Sequence, residues 1–338
     1  TLQMAPKQAA VGEALFFAAL ATGDPKKAQD ALDRVRAAQG DSEVVANLEG
    51  LYKLSLPDVE GAYAIFSELV KKYPDFNAAR INLARVLGMQ GKDAEAEKLL
   101  TDLLAKQPAS EPALGMMVGT YAASNRAAQA QDLLEKAIAA EPNVLRYRVS
   151  LGDLLIRMGQ AQKALDMANK EKGPAASTAE MLSLKAAAQL ALAQKKEAQA
   201  TYIELLKNDP NVLGARRQLA ALALEAGDFD VARNTILAGI ALMPRNYQLY
   251  QDLVLIDLRA TGVEAALATA DRVIAQDRDF GLLRALRGDI YLAANRPADA
   301  ITAFQEAQKA APSPALVARL SGAMLRAGYG GDAIKMLT

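Results

Sequence analysis

Apolar positions along residues 77–110 fall into two stripes separated by a glycine. Leu83, Ala84 and Leu87 share one face of a first segment, which stops at Gly91. The charged start "KDAEA" follows, then Ala96, Leu99, Leu100, Leu103 and Leu104. That spacing is one face of a helix with about 3.6 residues per turn. Pro108 closes the segment, where the chain must leave the helix. The pattern predicts a hairpin of two amphipathic helices.

The same pattern returns at a fixed distance. Steps of 34 residues from Ala96 land on Ala28, Ala62, Ala130, Ala164, Ala198, Ala232, Ala266 and Ala300, and Ala333 takes the role one residue short. Pro74, Pro108, Pro142, Pro210, Pro244 and Pro312 share a second lattice of that period, with Ala176 and Arg278 at its vacant nodes. A third lattice carries Gly23, Gly91, Gly159 and Gly227, with Asn125 and Asn295 at other nodes. Gly and Asn tolerate the left-handed backbone that ends a helix. Three lattices of one period predict a repeat array in which each hairpin buries its face only against its neighbours. The Ala slot predicts a close crossing of two helix backbones, which a larger side chain would push apart.

Composition changes this picture mainly by exclusion. A length of 338 residues would ordinarily suggest two or three globular domains, an estimate that the repeat replaces. With 51% hydrophobic and 23% charged residues the chain is not disordered, and its low aromatic share of 5% suits Ala-rich helix packing. Lys plus Arg and Asp plus Glu are both 39, so the basic excess of a nucleic-acid binder is missing. The chain contains no His and no Cys, which removes the commonest general base, the commonest metal ligands and the thiol nucleophile. No catalytic residue, metal site or cofactor is predicted. Carboxylate pairs such as Asp102 with Glu135, or Asp289 with Asp153, lie a repeat or more apart and read as solvated surface charge. "GYGG" at 328–331 reads as a turn before a last helix. No apolar run reaches the roughly 18 residues of a membrane span, and "TLQMAPKQ" lacks the features of a signal peptide. Because the chain starts at Thr1 and stops within a helical pattern, it reads as a piece of a longer protein whose targeting segment has been removed.

Residues 281–314, "GLLRALRGDIYLAANRPADAITAFQEAQKAAPSP", place Gly288, Tyr291, Ala300, Phe304, Ala307 and Pro312 at the offsets of a known motif. The unit resembles the tetratricopeptide repeat. Its usual Trp is absent, with Leu114, Leu182 or Tyr250 in that place. The resemblance implies an all-α fold, a right-handed α-solenoid of about ten 34-residue helix–turn–helix units with the last one truncated. Units are expected near 9–42, 43–76, 77–110, 111–144 and 145–178 in an N-terminal sub-array, 1–178. A C-terminal sub-array, 179–338, holds units near 179–212, 213–246, 247–280, 281–314 and 315–338. One unit departs from the pattern: Glu171 stands at an apolar position and Gly173-Pro174 stops the helix early. Ser177 and Glu180 then read as a capping box. Residues 171–178 are either a plain loop variation or a hinge between the sub-arrays.

In proteins of this family the first helices line a concave side that holds a peptide. The resemblance therefore implies a binding face of Phe17, Leu20, Leu51, Leu54, Ile81, Arg85 and Met89, continuing into Asp153, Arg157, Arg217, Glu225, Arg259 and Asp289. An apolar trough leading into a charged one suits an amphipathic peptide or a protein edge. The plain alternative is that the apolar residues close the array's end and that Asp153 pairs with Arg157 along one helix. Glu13, Phe17, Asn47 and Leu51 replace the set that clamps a chaperone tail, so that clamp is not expected. The last unit, "KAAPSPALVARLSGAMLRAGYGGDA", is similar to bacterial envelope repeat proteins of exopolysaccharide synthesis and export, such as PrsT-type lipoproteins and cellulose or alginate export subunits. It implies a periplasmic or outer-membrane-associated scaffold with polysaccharide synthase or export subunits as partners. A cytoplasmic adaptor or co-chaperone binding peptide segments is the alternative. A direct polysaccharide binder is a third reading, which the lack of Trp disfavours.

Overall fold

The computed structural model describes residues 5–337. Among these there is no strand: there are twenty α-helices and two short 3-10 segments, and eighteen of the helices pair in nine hairpins. The chain forms two compact units, divided after Leu154. The first contains α1 (Ala5–Ala21) and α2 (Pro25–Gln39), α3 (Glu43–Ser55) and α4 (Val59–Lys72), α5 (Asn77–Met89) and α6 (Asp93–Lys106), and α7 (Glu111–Ala123) and α8 (Ala127–Ala140). Helix α9 (Leu145–Arg157) contains the division itself. The second unit continues with α10 (Ala161–Lys170), α11 (Ala179–Ala191) and α12 (Lys195–Asn208), then α13 (Leu213–Glu225) and α14 (Phe229–Leu242). It ends with α15 (Tyr247–Thr261) and α16 (Val263–Gln276), α17 (Leu286–Ala293) and α18 (Pro297–Ala310), and α19 (Pro314–Arg326) and α20 (Gly330–Leu337).

Within each unit the helices pack on their chain neighbours, and first helices also meet across hairpins, α3 on α5, α13 on α15 and α15 on α17. That neighbour-by-neighbour packing is an α-solenoid. The Ala lattice is its seam. Ala28, Ala62, Ala130, Ala164, Ala198, Ala232, Ala266 and Ala300 have no exposed surface, and Ala96 and Ala333 are also buried.

The turn lattice is equally regular. Gly91, Asn125, Gly159, Gly227 and Asn295 all have positive φ, as expected. The next amide then donates back five residues, as from Lys92 to Leu87, Arg126 to Tyr121 and Arg296 to Tyr291, each at 2.8 Å. This closes the last carbonyls of the helix. Ala193 occupies the same node at φ 60 with the same closing bond from Gln194, although its Cβ disfavours that conformation. Its side chain is exposed, so little packing is at stake. Ala193→Gly is expected to raise stability by about 0.5–1 kcal/mol, net of the extra freedom glycine has when unfolded. A thermal melt that shifts downward would contradict this.

Side-chain volume is traded between the two helices of a hairpin. A methyl group added at Gly288 would lie 2.4 Å from the Phe304 ring, and one at Gly50 would meet Phe66 at 2.4 Å. At the corresponding pair, Val254 and Ala270, the bulk has changed sides and both are buried. Gly288→Ala is expected to cost about 2 kcal/mol, because the ring has no exposed edge to turn toward. Combined with Phe304→Leu, the two losses should fall short of their sum by about 1 kcal/mol or more in a double-mutant cycle. Strict additivity would show that the contact is not shared.

The position of the missing Trp has a second use. Arg216 Nη2 donates to the Pro210 carbonyl at 2.8 Å, Tyr250 Oη to Pro244 at 2.9 Å, and Arg148 to Pro142. A side chain in the first helix thus satisfies a carbonyl in the bend that precedes it.

Helix α10 stops at Lys170, and residues Gly173–Ser177 form a 3-10 turn inside the second unit. The cap of α11 differs from the expected one. Thr178, not Ser177, is the N-cap, and its hydroxyl accepts from the Met181 amide at 3.3 Å. Three residues beyond Thr178 stands Met181, so no capping box forms.

Candidate binding surface

The residues expected to form one binding face divide into several environments. In the first unit Phe17 is 49% exposed on α1 and Met89 is 57% exposed on α5, with Arg85 exposed four residues before it. Leu20 and Leu51 instead lean on the core made by Phe16, Leu32, Val35 and Leu48, and Leu54 is half-buried. Ile81 is buried outright, which removes it from any exposed trough. A cleft of about 220 Å³ in this unit is walled by Val45 and Glu49 on α3, Ile65 and Leu69 on α4, and Tyr73 just past the end of α4, and contains none of the expected residues. Asn47 is also occupied: its side-chain oxygen accepts from Asn82 at 2.9 Å in a buried contact. Asp153 and Arg157 are both exposed on α9.

In the second unit three expected residues come together. Arg217 and Glu225 on α13 and Arg259 on α15 line one cleft of about 630 Å³. Its apolar walls are Ala220, Ala221, Leu224, Leu255, Ile256 and Leu258, and the end of α17 closes it at Ala293. The first helices of three successive hairpins therefore build it. Helix periodicity explains the mixture: Ala220 and Ile256 also belong to the buried core, while half-buried Leu224 and Leu255 complete the wall.

The charges around the cleft are mostly spoken for. Arg217 reaches across to Asp252 on α15 with two bonds, Nε to Oδ2 at 2.5 Å and Nη2 to Oδ1 at 3.0 Å. Such a two-pronged contact fixes geometry as well as charge. Glu225 accepts from Lys195 at 2.7 Å, and that ammonium, with a smaller effect of Arg259, holds the Glu225 carboxyl below the ordinary carboxylate range. Arg259 is exposed and has neither a hydrogen bond nor an ion pair among the described residues. Asp252 was not anticipated. Its signal was a separation of 35 residues from Arg217, one repeat plus one, which also separates Asn47 from Asn82.

Asp289 requires a correction. It was read as surface charge on the binding face, but its side chain is only 6% exposed. Tyr247 Oη donates to its Oδ2 at 2.6 Å, Gln251 Nε2 to the same oxygen at 3.0 Å, and Arg319 Nη1 to Oδ1 at 2.7 Å. The Arg319 guanidinium also lies 4.6 Å over the Tyr247 ring. Burial pushes the Asp289 carboxyl above its ordinary range, while Tyr247, Arg319 and Gln251 pull it back. This cluster ties α17 to α15 and α19 and leaves no oxygen for a partner. By contrast Asp102 and Glu135 are exposed, as expected.

No group of three or more Asp or Glu suited to a metal ion occurs among the described residues, and no described helix is long and apolar enough to cross a membrane. Residues 56–119 match one family model described as tetratricopeptide repeat, and residues 119–178 and 252–314 match a second with the same description. A comparison with curated proteins returns no match. Among solved structures, a tetratricopeptide repeat protein from Parabacteroides merdae is 18% identical, with a TM-score of 0.43 over 84% of this chain and 100% of that one. A chain in the structure of Naa15/Naa10 bound to HypK-THB is 13% identical, with a TM-score of 0.39 over 96% of this chain and 62% of that one. A chain of the APC/C hetero-tetramer Cut9-Hcn1 is 15% identical, with a TM-score of 0.36 over 99% and 83%.

Proposed function

Since the chain belongs to the tetratricopeptide repeat family, we propose that it is a non-enzymatic scaffold holding a segment of a protein partner in the cleft between α13, α15 and α17. One observation carries this reading. The cleft is an open, largely apolar trough, and the Arg217–Asp252 pair on its rim is held in place by two bonds from α13 to α15. A preorganised apolar floor with a polar rim favours a protein segment, because little ordering has to accompany binding. The setting we propose is the bacterial envelope, at an exopolysaccharide synthesis or export complex. Support for it comes from the resemblance of residues 309–333 to the repeat proteins of that machinery.

A photo-crosslinking residue at Ala221, installed in the source organism, tests both levels. It should yield a discrete protein adduct that a crosslinker at exposed Ala241 on α14 does not, and Leu255→Asp should abolish it. Adducts equal at both positions would overturn the cleft as the holding site. A synthase or export subunit in the adduct would support the envelope setting, whereas cytosolic chaperones alone would sink it.

A further inference from the structure

Helix α1 has the composition of a helix packed on two sides but the packing of one at an edge. Helix α5 is apolar around most of its girth because α4 and α6 lie against it. Helix α1 packs chiefly on α2 and buries Ala9, Gly12, Phe16 and Ala19. Its other side should then carry the polar residues of a surface helix. Instead every exposed position from Ala10 to Ala21 is apolar, among them Val11 at 59% exposure, Leu15 at 44%, and Phe17. This side runs into a cleft of about 370 Å³, lined by Leu15 and Ala18 on α1 and by Lys27, Asp30 and Arg34 on α2. Single exposed apolar side chains are ordinary, but a continuous uncharged helix face marks an interaction site.

The charges beside this face indicate what covers it. Lys27 is paired with Asp24 at 2.9 Å. Asp30 and Arg34 are exposed one turn apart on α2 and have no hydrogen bond or ion pair among the described residues, not even with each other. At the same two places of α8, Asp132 and Lys136 close on each other at 2.7 Å. An open acid and an open base one turn apart make a self-complementary edge. With α2 antiparallel to its symmetry mate, Asp30 of each copy faces Arg34 of the other.

We propose that α1 and the adjoining edge of α2 form a twofold-symmetric interface with a second copy of this chain. Val11, Leu15 and Ala18 are its apolar centre, and two Asp30–Arg34 contacts are its rim. The inference does not depend on the cleft between α13, α15 and α17. Any other partner would have to supply an acid and a base in the reverse order, which a second copy does by symmetry. Two helices side by side make a face of about 25 Å by 20 Å. The pair therefore buries about 1,000 Å² in total, the lower end for a specific interface, and the association should be weak, with a Kd of about 1–100 µM.

Sedimentation velocity of the intact chain across that range is the test, at low ionic strength so that the rim charges are not screened. A concentration-dependent dimer is expected. Leu15→Asp should weaken it by about tenfold or more, whereas Ile203→Asp, on the exposed side of α12, should leave it unchanged. Asp30→Arg and Arg34→Asp each place like charges opposite one another, and each should self-associate about fivefold more weakly. Mixed in equal amounts, the two variants should pair more tightly than either does alone, because the mixture restores both opposite-charge contacts. A purely structural effect of either substitution would give no such rescue. A chain that stays monomeric throughout, a dimer indifferent to Leu15→Asp, or a mixture without rescue would overturn the proposal. So would a longer natural form that stays monomeric while residues 1–338 pair, since a segment of the same chain would then cover α1.

Discussion

Ala232→Phe is expected to destabilise the C-terminal unit by more than about 3 kcal/mol and to loosen α13 through α15 together. Ala232 has no exposed surface and sits in the core that also contains Ala220, Ile236, Leu249, Leu253 and Ala266. Proteins close-pack such sites, so a phenyl ring has no void to enter and must move a helix. In a stack of hairpins that movement cannot stay local, because each helix is a wall for the next hairpin as well as for its own. Hydrogen exchange should therefore accelerate along α13, α14 and α15, where α14 packs between the other two. Ala241→Phe, on the exposed side of the same helix, is the control and should change stability by less than about 0.5 kcal/mol. If both variants melt alike, the seam of small residues is not what spaces the helices.

The repeat was legible because its physical cause is itself periodic. A close crossing needs Ala every time, a left-handed turn needs Gly or Asn nearly every time, and a helix exit favours Pro. First helices accordingly begin at Glu43, Asn77, Glu111, Leu145 and Ala179, one period apart. What periodicity does not reveal is which first-helix side chains face the gap between hairpins and which face the open trough. Ile81 and Asp289 illustrate the loss. Both were expected on the exposed binding face, and both are buried. Asp289 is covered by residues 42, 38 and 30 positions away, on the hairpins before and after its own, and no single offset would have found all three. Arg217 with Asp252 was closer to legible, since polar side chains one repeat plus one residue apart also meet at Asn47 and Asn82. The Thr178 cap was missed for a smaller reason: two adjacent hydroxyls compete, and only the 3-10 turn ending at Ser177 decides between them.

Asp289→Ala is expected to cost about 3 kcal/mol, most of it from what it strands rather than from what it removes. Tyr247 Oη would keep its buried position, and Arg319 its half-buried one, without this acceptor between α15, α17 and α19. The last hairpin should open first, because α19 loses its charged tie to α17 while the hairpins before it keep their own packing. Asp289→Asn retains an acceptor for Tyr247 and Gln251 and should cost less, about 1–2 kcal/mol. Proton linkage supplies a second readout. A raised carboxyl in the folded state means that this group's contribution is fully present below about pH 4 and declines as pH rises through the raised value. Asp289→Asn should flatten that decline in melts taken across the mildly acidic range. The decisive variant is Asp289→Leu with Arg319→Met, which replaces the buried pair by apolar side chains. If the pair serves mainly to choose one register between the last hairpins, the double variant should regain most of the stability lost by Asp289→Ala. A double variant no more stable than the single one would make the ion pair a net source of stability instead.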